Sequence, residues 1–66
     1  MNARPQVREV LIAAKLKRWA MIGQHPFIDA TCPPARARRN FARLYARYPE
    51  IALRIGLSAT SAYPPP

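Results

Sequence analysis

Arginines recur on one side of a predicted helix near the middle of the chain. At about 100° per residue, one face of the stretch 35–48 carries Asn40 and four arginines, which are Arg36, Arg39, Arg43 and Arg47. No acidic residue interrupts this stretch. Guanidinium groups bind phosphates and carboxylates, often through two parallel hydrogen bonds. We therefore predict that the four arginines form a polyanion-binding face whose ligand is RNA, a lipid headgroup or an acidic protein.

The opposite face of the same helix is apolar. Its members follow helical spacing, and they are Ala37, Phe41, Leu44, Tyr45 and Tyr48. Tyrosines beside arginines can stack on the bases of single-stranded RNA. The spacing of Tyr45 and Tyr48 nevertheless matches the period of a packed face. We therefore interpret both side chains as members of the apolar face.

Few residues of the chain are suited to catalysis or metal binding. There is one cysteine, Cys32, and one histidine, His25, and the acids Glu9, Asp29 and Glu50 are scattered. A single cysteine excludes an internal disulfide, and a structural zinc site normally requires four ligands. A general base without a nucleophile and an orienting group does not make a triad. We expect a non-catalytic protein with no metal and no cofactor.

Length and charge together point to a protein that works with a partner. The chain has 66 residues and a formal charge of +8, and half of its residues are hydrophobic. A chain this short buries only about 60% of its unfolded surface, and strong positive charge favours anionic partners. We expect one small domain that is not a free monomer and whose core a partner completes.

The pattern of prolines, glycines and apolar residues predicts an all-α fold in a single small helical subunit, residues 1–66. The first helix is predicted over 5–22, beginning at Pro5 and capped by Gly23. A proline-containing connector follows over 24–34, then the arginine helix over 35–47. Pro49 ends that helix and begins a short third one over 49–55. Residues 57–66 form a tail that we expect to be extended.

The first helix carries two apolar stripes, where an ordinary surface helix has one. One stripe consists of Ile12, Leu16 and Trp19, and the other of Val7, Val10, Leu11, Ala14, Met21 and Ile22. Two stripes indicate two contacts, one with the second helix and one with a foreign surface. Because tryptophan is enriched at binding hot spots, we predict a partner interface formed by Trp19, Ile12, Leu16, Phe41, Leu44 and Tyr48. The alternative is that Trp19 fills the internal core.

The N-terminal 20 residues bear on the compartment. They contain five basic residues and only Glu9 as an acid, and so resemble a mitochondrial presequence, although an ordinary basic helix has the same composition. The apolar run at Val10–Ala14 is five residues long, whereas a membrane-spanning helix needs about 20. We predict an accessory subunit of a large mitochondrial complex, of the respiratory or ATP-synthase kind, bound to other protein subunits. The alternative is a small ribosomal protein that contacts rRNA through the arginine helix.

Overall fold

A computed structural model describes residues 6–65 and contains three helices. They are α1 (Val7–Gln24), α2 (Pro34–Arg47) and α3 (Pro49–Arg54). No strand occurs within residues 6–65, so the all-α prediction is confirmed. Gln6 has an extended backbone, and α1 therefore begins at Val7; the predicted start at Pro5 lies outside the described residues. The predicted limits of α2 and α3 differ from the observed limits by one residue each.

The core lies where α1 crosses α2 and α3. The core residues of α1 are Ile12, Leu16 and Ala20. They are spaced four apart and therefore lie on a single face of the helix. Phe41 and Leu16 are the largest side chains at its centre, with exposed fractions of 1% and 0%. The remaining buried members are Ile12, Ala20, Ile51, Ala52 and Ala62. All three helices and the C-terminal segment thus contribute to one small core.

The end of α3 is set by a glycine. Gly56 has φ +82°, in the left-handed region that favours glycine. Its N–H donates to the carbonyl of Leu53 at 3.1 Å, and the N–H of Leu57 donates to the carbonyl of Ala52 at 2.8 Å. These two bonds are those of a Schellman motif. They satisfy carbonyls that the helix end would otherwise leave unpaired and turn the chain back towards α1.

Gly23 does not cap α1, contrary to the sequence-based prediction. The helix continues through it to Gln24, and the N–H of His25 still donates to the carbonyl of Met21 at 2.9 Å. A Cβ placed on Gly23 would collide with the carbonyl oxygen of Ala62 and would lie 2.9 Å from its carbonyl carbon. The absence of a side chain therefore allows the backbone near the C-terminus to lie directly against α1.

The predicted extended tail is wrong for most of its length. The N–H of Ser61 donates to the carbonyl of Ser58, and that of Tyr63 donates to the carbonyl of Thr60, so the segment turns twice. The side chain of Gln24 donates to the carbonyl of Ser61. Ala62 is fully buried. The tail folds back because Gly23 leaves room for it.

Candidate anion-binding groove

The predicted arginine face is exposed and its four members are unpaired. Among residues 6–65, no side-chain hydrogen bond or ion pair involves any of them; they are Arg36, Arg39, Arg43 and Arg47. Both ion pairs of the described chain lie elsewhere, between Arg18 and Asp29 and between Arg54 and Glu9. These four arginines therefore remain available for an anionic ligand.

Arg38 departs from this pattern and has a structural role. Its guanidinium donates to the carbonyl of Gly23 at 2.8 Å and to the carbonyl of Ala62 at 3.3 Å. It also lies over the ring of Tyr63, 5.2 Å from the centroid, at a distance typical of a cation–π contact. Arg38 thus ties α1, α2 and the tail together. In helical angle Arg38 lies between the arginine face and the apolar face of α2. That position alone does not predict its hydrogen bonds to α1 and the tail.

A cavity of about 550 Å³ lies between α1 and α2. Its floor is apolar, and cationic side chains from both helices surround it. The lining residues are Arg8, Leu11, Ile12, Lys15, Leu44, Arg47 and Tyr48. A volume of this size is within the range of ligand-binding clefts. No acidic side chain lines this cavity, so its charge favours an anionic occupant.

A second, smaller cavity adjoins the first. Its volume is about 110 Å³, and it is lined by Trp19, Asn40, Arg43, Leu44 and Arg47. Leu44 and Arg47 line both cavities, so the two lie side by side, and we call the pair the basic groove. It brings together two of the predicted anion-binding arginines and the aromatic residue that we predicted as an anchor.

At one end of the basic groove, α1 contacts the residue that follows α2. The Arg8 guanidinium donates to the hydroxyl of Tyr48 at 2.7 Å. Its Cζ also lies 5.7 Å from the centroid of that ring. Arg8 is exposed but is held in place by these contacts, which keep one cation of the groove wall ordered. The sequence carried no signal for a pair 40 residues apart.

The predicted partner-interface residues separate into two groups. Ile12, Leu16 and Phe41 are buried in the chain's own core, so they lie in the internal contact between helices. Trp19, Leu44 and Tyr48 are partly buried and pack against that core, and all three line the basic groove. That they contact a partner stays a prediction.

The structure shows which of the two stripes of α1 makes the internal contact. The stripe containing Ile12 and Leu16 faces α2 and α3. Most of the other stripe faces outwards: Val7, Val10, Leu11 and Met21 are each more than half exposed, and Ala14 is exposed. Ile22 is the exception, with an exposed fraction of 2%. Periodicity predicted two faces but could not say which one the second helix covers.

The residues considered for catalysis and metal binding are dispersed. His25 is exposed, and the Sγ of Cys32 lies 3.9 Å from the carbonyl oxygen of Pro33. Within the described range, no three residues of the types His, Cys, Asp and Glu lie close enough to hold one metal ion.

The connector between α1 and α2 is held by Asp29. Its carboxylate accepts bonds from the Thr31 hydroxyl at 2.6 Å, the Thr31 N–H at 2.8 Å and the Arg18 guanidinium at 2.8 Å. These donors, with the Thr31 hydroxyl contributing most, lower the pKa of Asp29 below its ordinary value of 3.8. The contacts thus favour the ionised carboxylate and fix the loop against α1.

We expect the connector to loosen only in strong acid. Because the pKa of Asp29 is lower in the folded chain, its stabilising contribution is complete above pH 3.8 and is lost as the pH falls through the lowered value. The chemical shifts of the Thr31 amide and the Asp29 carboxyl, followed by NMR, should move together below pH 3.8. In Asp29→Asn the Thr31 amide should not titrate with this carboxyl; an unchanged titration in that variant would contradict the assignment.

Comparison with known proteins finds no matching family model, no matching curated protein and no matching solved structure. Among the described residues, no helix combines the length and the apolar character that crossing a membrane requires.

Proposed function

We propose that this chain is a non-catalytic accessory subunit of a larger assembly, in which its basic groove holds an acidic, partly apolar segment of another subunit. The observation that carries the proposal is the groove itself. Its apolar floor lies between cations from two helices, and no acidic residue lines either cavity. A segment with apolar residues on one side and carboxylates at its edges is complementary to this arrangement.

The cations of the groove are suited to binding because they are not already neutralised. Lys15, Arg43 and Arg47 are exposed and have no ionic partner within residues 6–65. Arginine offers bidentate geometry to a carboxylate. The net charge of +8 adds long-range attraction that speeds the encounter with an acidic partner. These contacts are screened by salt, so the affinity should fall as ionic strength rises.

Trp19 and Leu44 provide the apolar part of the contact. Both are partly buried, so each presents one side to the core and the other to the groove. A helical segment laid in such a groove inserts apolar anchors at spacings of three and four residues. Aromatic side chains in the centre of an interface carry a large share of its binding energy. Trp19 is therefore the anchor in this proposal.

As to compartment, we propose a mitochondrial complex of the respiratory or ATP-synthase kind. What supports this choice is composition alone: the first 20 residues are basic and nearly free of acids, as in presequences. The alternative of a ribosomal protein rests on the same arginines, since α2 presents them in a row that could follow an RNA backbone. The experiment below distinguishes the two.

Two double variants separate a groove ligand from a polyanion laid along α2. Arg43→Gln/Arg47→Gln removes cations from the groove, whereas Arg36→Gln/Arg39→Gln removes two cations of the same helix that line neither cavity. We expect the first to weaken partner capture about tenfold, at roughly 0.7 kcal/mol for each exposed ion pair. The second variant is the matched control, and its loss of binding free energy should be less than half that of the first.

The measurement is capture by the tagged full-length chain from a mitochondrial extract, with and without nuclease, followed by quantification of the bound proteins. Partners that survive nuclease and respond to the groove variant support the proposal. If nuclease removes the partners and both double variants weaken binding equally, the chain is an RNA-binding protein. Exposed substitutions of this kind change stability by about 0.5 kcal/mol or less, which circular dichroism should verify.

A further inference from the structure

A second surface, on the outward side of α1, is distinct from the basic groove. Val7, Val10, Ala14 and Met21 lie within an arc of about 60° on this helix, given 100° per residue, and all four are exposed. We call them the outer stripe. At about 1.5 Å per residue the stripe is about 21 Å long. Leu11 lies at its boundary with the groove, where it lines the larger cavity.

The loop after α1 continues this stripe. Phe27 has an exposed fraction of 99% and the neighbouring Ile28 one of 53%. The loop is not free to turn elsewhere, because Asp29 binds Arg18 at 2.8 Å and Thr31 through two bonds. Arg18 lies on the outward side of α1, between Leu11 and the outer stripe in helical angle. The ion pair therefore holds this loop against the outward side of α1.

The charges around this surface are positive. Lys17 is exposed, lies directly beside the outer stripe in helical angle, and has no ionic partner in the described part of the chain. Arg18 lies on the other side of the stripe, whereas Lys15 lies beyond Leu11 and lines the larger cavity. Asp29, the acid of the adjoining loop, is neutralised by Arg18. The other acid of this region, Glu9, points towards α3 and pairs with Arg54. The surface is thus an apolar line bordered by cations.

We propose that the outer stripe and Phe27 lie on an anionic lipid bilayer, with α1 parallel to the membrane plane. An apolar helix face bordered by lysines is the arrangement of helices that bind at the interface of acidic membranes. The lysine stems reach outwards while their ammonium groups meet lipid phosphates. A phenyl ring with an exposed fraction of 99% gains burial when it enters an apolar phase.

Charge and shape favour this occupant over a second copy of the chain. Each copy carries a charge of +8, so two copies repel one another. The stripe is also a narrow line along the convex surface of a single helix. A bilayer needs no shape complementarity to accept it. This inference does not depend on the groove and stands or falls separately from the proposed function.

The test is co-sedimentation of the full chain with extruded vesicles of phosphatidylcholine alone or with phosphatidylglycerol added. We expect binding to the anionic vesicles and little to the neutral ones. Phe27→Ser should lower the partition coefficient about tenfold, without loss of helix, because the ring is almost fully exposed. Lys17→Gln should lower it about fivefold on anionic vesicles only. Leu53→Ser, at an exposed apolar residue of α3, is the matched control and should change it less than twofold.

Several results would overturn the inference. One is equal binding of the wild type to both vesicle types, or to neither. A second is binding that Phe27→Ser leaves unchanged while Arg43→Gln/Arg47→Gln abolishes it, which would place lipid in the groove. A third is self-association of the wild type in sedimentation that Phe27→Ser disrupts, which would make a second copy the occupant.

Discussion

Replacing Phe41 by alanine is expected to remove most of the stability of this protein. The ring has an exposed fraction of 1% and is the largest side chain buried among the three helices. It also packs against Tyr45, with ring centroids 5.9 Å apart. Loss of a buried phenyl ring and the cavity left behind cost about 3–5 kcal/mol. A domain of this length has a total stability of only about 3–10 kcal/mol.

The measurement is urea unfolding followed by far-ultraviolet circular dichroism, with Leu53→Ala as the control. Leu53 has an exposed fraction of 62%, so its truncation should change the free energy of unfolding by about 0.5 kcal/mol or less. A Phe41→Ala protein with a wild-type midpoint would show that the helices are not held by the core described above. Recovery of the helical signal on addition of a partner would indicate that the assembly contributes the missing stability.

Gly23→Ala is expected to have the second largest effect, although alanine is the better helix former. In an exposed helix the change would add up to about 1 kcal/mol of stability. Here the new Cβ would collide with the carbonyl oxygen of Ala62, and a backbone carbonyl cannot move without the chain on either side of it. We expect a net loss of about 2–3 kcal/mol, or a lower melting temperature by about 10–20 °C in a domain of this size.

Gly56→Ala should also lower the free energy of unfolding, but through backbone strain and not through a collision. A Cβ at that position would meet nothing within 4 Å, but the residue has φ +82°. The strain of a left-handed residue costs about 1–2 kcal/mol, and the tail should remain docked. In Gly23→Ala, by contrast, NMR should show Tyr63 released from Arg38. A Gly23→Ala protein that is more stable than wild type and keeps this contact would refute the assigned role of Gly23.

The helices were predictable because each depends on local signals. The prolines at 34 and 49 begin α2 and α3, Tyr48 before Pro49 separates them, and Gly56 ends α3. These are statements about neighbouring residues. The apolar face of α2 was predictable for the same reason, since a period of 3.6 is visible within 14 residues.

The tertiary contacts were not predictable from these signals. Arg38 and Ala62 are 24 residues apart, and neither residue type indicates that the two form a hydrogen bond. The groove illustrates the same limit: its arginines and its tryptophan were each identified, but only the crossing of α1 and α2 brings Trp19 and Arg43 to one cavity. Which stripe of α1 packs inside the molecule was not predictable, because both stripes are apolar and the outcome depends on the contact with α2 and α3.

The position of Arg38 has a consequence for the order in which the chain assembles. Its two carbonyl acceptors belong to Gly23 and Ala62, so the C-terminal segment docks on a site that exists only after α1 and α2 have paired. Closing a contact over a long stretch of chain costs entropy that earlier contacts must already have offset. We therefore expect the tail to dock after α1 and α2 have paired, and to detach before they separate.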